Sequence, residues 1–272
     1  MLDSDAELDK LLDETKAAPG ELTLVVRIAL PKGTARYDLS GKFGAGFDEA
    51  AALLRRCRPL AAALGISFHV GSQCLDPQAY ARAIARADRI AGVAGVAVDV
   101  LDVGGGFPVA YPRTDPPPLG AFFAVIAAAR AEATSLSRAR LWAEPGRALV
   151  AGAGSVVVQV QARRGDALYI NDGVYGSLSD AGVPAFRFPA RALRASAAPL
   201  RDFVLFGPTC DSADRMAGPF ALPGDVGEGD WIEIGQLGAY GAALRTAFNG
   251  FDRAHLVEVA DRPLLFTPGL DD

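Results

Sequence analysis

Through roughly its first 150 residues the chain alternates short apolar runs that fit buried strands with longer stretches whose apolar residues recur at three and four, as in helices. No other feature of the sequence restricts the fold as much. LTLVVRIAL (22 to 30) reads as a strand, DEAAALLRRCRPLAAALG (48 to 65) as a helix closing at Gly65, and ISFHV (66 to 70) as the next strand. DPQAYARAIARADRIAGVAG begins a helix at Asp76 with Pro77 in its first turn, a sound start signal. VAVDVLDV (96 to 103) is again a strand, LGAFFAVIAAARAEATS a helix, and LWAEPGR a strand end. One strand and one helix in about 30 residues, repeated, build a parallel sheet. Glycines and polar residues follow each strand at its carboxyl end, so the expectation is part of a (β/α) barrel with a site assembled from those ends.

After about residue 150 the texture changes. SVVVQVQARR, ALYINDGVY, FRFPARAL, DFVLFGP and DWIEIGQLGAY are short β-rich runs divided by Gly, Pro and Asp. The expected organisation is a barrel portion over residues 1–150 and a β-sandwich or β-barrel domain over 151–272.

Composition excludes several partners. A net charge of −5, with no long basic run, argues against a nucleic-acid surface, and no uninterrupted apolar stretch is long enough to span a bilayer. The acidic start MLDSDAELDK does not resemble a secretory leader, so the expected location is the cytoplasm. Three scattered cysteines (Cys57, Cys74, Cys210) and two histidines (His69, His255) carry no metal-ligand spacing, and no metal is expected. Cys57, Cys74 and His255 read as structural.

The strand ends carry complementary groups. FHVGSQ sets His69, Gly71 and Ser72 after one strand, LDVGGGFP sets bare backbone at Gly104, Gly105 and Gly106 after the next, and AEPGR sets Glu144 and Arg147 after the third. Hydroxyl, backbone N–H groups and a guanidinium suit a phosphate. Each has a bland alternative: a plain turn for the glycines, a core imidazole for His69, a helix cap or a pairing with Asp102 for Arg147. A carboxylate beside a phosphate calls for something protonated between them. Pyridoxal 5′-phosphate has both ends, a phosphate and a ring nitrogen that a carboxylate keeps protonated, and an imidazole can stack on its face.

FHVGSQ, LDVGGGFP, AEPGR, NDGVYGS, FGPTCDSAD, QLGAY and FNGF follow one another in the order, and at about the spacing, of the fold-type III pyridoxal-phosphate decarboxylases, the ornithine/lysine/diaminopimelate group, which the chain resembles over nearly its whole length. The resemblance implies an alanine-racemase-like (β/α)8 TIM-type barrel, of which about five strands are represented, followed by a β domain. It implies that His69 stacks on the cofactor ring and that Glu144 pairs with its nitrogen. Ser72, Gly104, Gly105, Gly106, Gly146, Arg147 and Tyr240 would hold the phosphate. Cys210 would return a proton to Cα, and Asp211 would receive the distal ammonium of an amino-acid substrate, both reaching into the other subunit of a homodimer. CDS at 210–212, with NDGVYGS, points to the ornithine or lysine branch. For a second carboxylate at the distal amine Asp180 is the nearest candidate.

The lysine that anchors the family's cofactor ends its first barrel strand, and none of Lys10, Lys16, Lys32 and Lys42 ends an apolar strand here. MLDSDAEL resembles the family's fourth strand and the following helix, so three βα units, about 90 residues of a ~250-residue barrel, are without counterpart. The reading is therefore a pyridoxal-phosphate-dependent decarboxylase of ornithine or lysine, of the polyamine pathway, represented without its cofactor-anchoring amino-terminal part and expected to be inactive and poorly soluble alone; the alternatives are a catalytically silent decarboxylase-like partner and a phosphate-ligand binder.

Overall fold

The computed structural model describes residues 1–33 and 35–270, which fall into two compact units. One comprises Met1–Pro108 and Pro116–Gly146; the other comprises Val109–Asp115 and the chain from Arg147 onward. No helix among the described residues is long and apolar enough to cross a membrane.

In the first unit the elements run α1 (Asp5–Thr15), β1 (Leu22–Arg27), α2 (Phe47–Cys57), β2 (Ala61–Ser67), α3 (Gln78–Ala94), β3 (Val100–Asp102), α4 (Leu119–Glu132) and β4 (Arg140–Trp142). The four strands form a parallel sheet in sequence order. A fifth parallel element is reduced to a single bridge, in which Leu2 N–H donates to Val25 O at 2.9 Å and Arg27 N–H donates to Leu2 O at 2.8 Å. Of the five strands expected, the first is thus present as one residue. Helix limits follow local chemistry: Ser4 Oγ accepts from Glu7 N–H at 3.2 Å, Asp76 Oδ1 accepts from Gln78 N–H at 2.9 Å, and α3 ends on left-handed Gly95.

One element differs from expectation. Residues 61–65, expected as the end of a helix, are the first part of β2. Pro59 stops the helix, and the following residues pair with β1. Gly65 is required there, because a Cβ would lie 2.9 Å from Val25 Cγ2 and 3.3 Å from Val100 Cβ, on the strands at either side.

The second unit contains β5 (Val156–Arg164), β6 (Ala167–Ile170), β7 (Ala190–Ala192), β8 (Leu200–Phe206), β9 (Arg215–Pro223) and β10 (Trp231–Ile234), in the sheet order β7-β10-β5-β6-β8-β9. All neighbours are antiparallel except β6 and β8. The edge strands β7 and β9 approach one another, so the sheet is nearly closed around Val158, Val160, Leu168, Phe203, Leu205, Phe220 and Ile232. Sequence reasoning did not anticipate β9, because Gly218-Pro219 within it reads as a turn; a register shift opposite Phe203–Leu205 accommodates the pair. The segment 109–115 joins this unit through Gln236 Nε2, which donates to Ala110 O at 2.9 Å, and through Arg113, paired with Asp202 at 3.0 Å.

Candidate active site

In the first unit the site is a consequence of strand register. Arg27, Ser67, Asp102 and Trp142 occupy one rung at the carboxyl end of the parallel sheet. His69, Gly104 and Glu144 each stand two residues beyond that rung, so residues far apart in sequence emerge side by side at one edge.

The glycine loop is packed so closely that side chains are excluded. A Cβ on Gly104 would overlap Phe68 O and one on Gly106 would overlap Gly71 O; both glycines also have positive φ (65° and 98°). The loop's carbonyls are committed: Gly104 O accepts from Glu144 N–H, Gly105 O from the Tyr80 hydroxyl and Gly106 O from Cys74 N–H, each at 2.9 Å. Gly104 N–H donates to Asp102 Oδ1 at 2.9 Å, while the N–H groups of Gly105 and Gly106 have no partner among the described residues. Two open donors on a rigid turn suit an anionic oxygen.

Burial, with Arg27 nearby, pushes the His69 imidazole down to about 4, so it is neutral at pH 7. Its Nδ1 accepts from Gly71 N–H at 3.0 Å, which leaves the proton on Nε2. Glu144 is raised above the ordinary carboxyl range by desolvation and by the neighbouring buried carboxyl of Asp102, with Arg27 and the Met1 amino group acting in the opposite sense. Ser72 exchanges backbone hydrogen bonds with Tyr37 at 2.9 and 3.1 Å. Gly146 N–H donates to Glu144 O at 2.9 Å, turning the chain after the carboxylate.

The second unit holds the remaining candidates in two clusters. Arg147 is buried, donating from Nη1 to the Tyr111 hydroxyl at 2.8 Å and from Nη2 to Asp180 Oδ2 at 2.6 Å. Its guanidinium lies 4.7 Å from the Phe186 ring centroid and 4.9 Å from that of Tyr240, and its Nε is buried without a partner. Burial works against the charge, yet Tyr111 and Asp180 keep the group more basic than usual. Asp180 is thus engaged by Arg147.

The other cluster joins two loops. Buried Asp214 accepts from Val174 N–H at 2.9 Å, Thr209 N–H at 3.1 Å and the Thr209 hydroxyl at 2.8 Å, stapling the NDGVYGS loop to the GPTCDS loop. Asp172 accepts from Gly173 and Ser177 N–H at 2.8 and 3.0 Å and pairs with Arg245 at 2.9 Å. Asp211 accepts from the Tyr175 hydroxyl at 2.5 Å and from Ala213 N–H at 2.9 Å, contacts that hold its carboxyl below the usual range. It lines a cleft of about 500 Å³ with Tyr169, Phe206 and Phe251. Cys210 is exposed, whereas Cys57 and Cys74 are buried.

The family model for the pyridoxal binding domain of pyridoxal-dependent decarboxylases matches residues 1–151. The chain belongs to that family. It is 32% identical to mouse (Mus musculus) ornithine decarboxylase over 97% of its own length and 62% of the relative's, and 33% identical to antizyme inhibitor 2 of Xenopus laevis over 93% and 59%. The Vibrio vulnificus lysine/ornithine decarboxylase, solved with cadaverine, superposes with a TM-score of 0.77 at 31% identity, covering 96% of this chain and 69% of that one. The chain thus spans about three-fifths of the length of these curated relatives, and within the fold-type III pyridoxal-phosphate-dependent decarboxylase family it falls in the ornithine/lysine branch. In the first unit the open glycine N–H groups, the neutral imidazole and the acid pair fit pyridoxal phosphate.

Sequence reasoning missed Arg27, Tyr80, Tyr111, Asp172, Tyr175, Asp214 and Asn249 as site-forming residues, and gave Asp102 only in passing. Asp102 and Asp214 carried a signal: each is an acid beside glycine-rich or apolar sequence that turns out buried. Of the four lysines, Lys10 pairs with Glu7, Lys16 with Asp13, and Lys42 lies over the Phe43 ring; none stands at or two residues beyond the last rung of the sheet.

Proposed function

We propose that this chain carries the larger part of a decarboxylase of basic amino acids, converting ornithine or lysine to putrescine or cadaverine in cytoplasmic polyamine synthesis. The observation behind this reading is the shared rung that brings His69, the glycine loop and Glu144 to one edge of the sheet. When bound, pyridoxal phosphate would supply an electron sink for decarboxylation at Cα.

The chain's residues bind and orient. Glu144, beside Asp102, would hold a proton at the ring nitrogen, and neutral His69 would lie against the ring face. The N–H groups of Gly105 and Gly106, with Ser72 and the Gly104 and Gly146 turns, would take phosphate oxygens; the family resemblance gives Arg147 and Tyr240 a phosphate-binding role as well. In a homodimer, Cys210 returns a proton to Cα in the partner subunit's site, and Asp211, held ionised by Tyr175, receives the distal ammonium. The first unit acts as the cofactor-binding domain and the second as the domain that supplies substrate contacts.

The resemblance assigns the cofactor-anchoring lysine to a strand end that has no counterpart within residues 1–272. The test is CO2 release from carboxyl-labelled ornithine and lysine by the chain, alone and with the lysine-bearing amino-terminal segment of the Vibrio vulnificus enzyme. Release only with both is expected; no release from either substrate in the mixture overturns the reading.

The 33% identity to antizyme inhibitor 2 of Xenopus laevis favours one second reading, a catalytically silent partner that pairs with a complete decarboxylase through the Cys210 face. Heterodimers with such an enzyme, formed while the mixture above stays inactive, would select it.

A further inference from the structure

The FNGF motif at 248–251 has no part in the chemistry so far described, yet its turn is docked against the loops that carry Cys210 and Asp211. Thr246 N–H donates to Tyr175 O at 2.9 Å, and the Phe248 ring packs on the Tyr175 ring with centroids 4.6 Å apart. Tyr175 in turn donates from its hydroxyl to Asp211 at 2.5 Å. Asn249 closes this ring of contacts, donating from Nδ2 to Cys210 Sγ at 3.3 Å. Its backbone is left-handed (φ 54°), and Gly250 follows with φ 78°. That conformation suits Asn or Gly and few other residues, so the residue type answers both the turn and the contact.

We infer that Asn249 is the positioning residue for Cys210, aiming its sulfur and stabilising the thiolate left after proton return. The inference rests on the reading of Cys210 as proton donor and deepens it. In that step the S–H bond breaks as the Cα–H bond forms on the electron pair released with CO2, and sulfur keeps the S–H pair as an anion. An N–H aimed at sulfur favours the anion over the thiol. The charged and titratable groups of the loops that meet here have partners of their own. Asp211 and Asp214 oppose a second negative charge, though the first is occupied by the Tyr175 hydroxyl and the second by backbone and Thr209 donors. From the 245–253 segment, Arg245 is turned to Asp172, Ser177 and backbone carbonyls. The neutral amide of Asn249 is the donor that faces the sulfur.

The test needs neither substrate nor cofactor, so its outcome is separate from that of the decarboxylation experiment. The 1–272 chain and two variants are alkylated with iodoacetamide from pH 6 to 10, and Cys210 modification is followed by peptide mass spectrometry; buried Cys57 and Cys74 serve as internal references. Asn249→Gly keeps the left-handed turn and removes the amide. Asn249→Asp also tolerates the turn and puts a carboxylate in the amide's place. At pH 7.5 we expect alkylation of Cys210 to slow about threefold in Asn249→Gly and about tenfold in Asn249→Asp, with the rates drawing together toward the alkaline end of the range. A profile in Asn249→Gly that superimposes on the parent's, moves to lower pH, or changes only in its plateau overturns the assignment.

Discussion

Arg147 and Asp180 form an ion pair at 2.6 Å inside the second unit, with the guanidinium 4.7 Å from the Phe186 ring centroid and 4.9 Å from that of Tyr240. Both side chains are largely out of solvent, at 5% and 14% exposure, so the pair is in the regime where losing one partner strands the other's charge. Asp180→Ala is expected to cost about 3–5 kcal/mol in urea unfolding. Because the stranded guanidinium then lacks a counter-charge, millimolar inorganic phosphate should raise the melting temperature more in the variant than in the parent. Equal shifts would show that Arg147 cannot turn to a phosphate.

Glu144 gives a prediction of opposite sign. Its carboxyl binds a proton more readily in the folded chain than in the unfolded one, so above an unfolded pKa near 4.3 folding works against its charge. Glu144→Gln should therefore melt higher than the parent at pH 7.5, with the difference shrinking toward pH 4.5. A lower melting temperature at pH 7.5 would mean that Glu144 is held by cations rather than crowded by Asp102.

His69 predicts acid lability. Its folded pKa of about 4 lies below the ordinary 6.5, so between those values the unfolded chain binds the extra proton. The stability that neutral His69 contributes is complete above pH 6.5 and is lost as pH falls through about 4. His69→Phe, which keeps a ring but cannot titrate, should flatten the stability profile across that window. An unchanged slope would locate the acid sensitivity elsewhere.

Asp214 is the staple between the loop of Tyr175 and the loop of Cys210. Asp214→Ala removes three hydrogen bonds to a buried carboxylate and should cost about 2–4 kcal/mol. It should also open residues 172–178 and 207–213 to limited proteolysis before the sheet itself unfolds. Cleavage confined to other loops would show that the two motifs hold their shape independently.

The parts of the fold that were legible in the sequence were those with local causes. Helix α3 could be read because Asp76 and Gly95 mark its ends and its apolar spacing is regular. Residues 61–65 were misread because Ala and Leu are good helix formers, and only pairing with β1 makes them a strand. His69, the glycines and Glu144 could be placed at a site because each follows an apolar run. Asp214, Tyr175 and Asn249 could not, since their partners lie in other loops and nothing in their own neighbourhood announces them.

Tyr111 lies in a short stretch that leaves the first unit at Pro108 and returns at Pro116, yet it packs with Phe186 and Phe188 and bonds to Arg147. A ribosome making this chain from its amino end releases that stretch well before the rest of the second unit exists. Tyr111 must wait, unburied, until Phe186 and Phe188 have been synthesised. Nor can the halves be parted by a single cut: a fragment starting after Gly146 lacks the hydroxyl that Arg147 is built to meet, and any split expression of this protein has to carry residues 109–115 across as a graft.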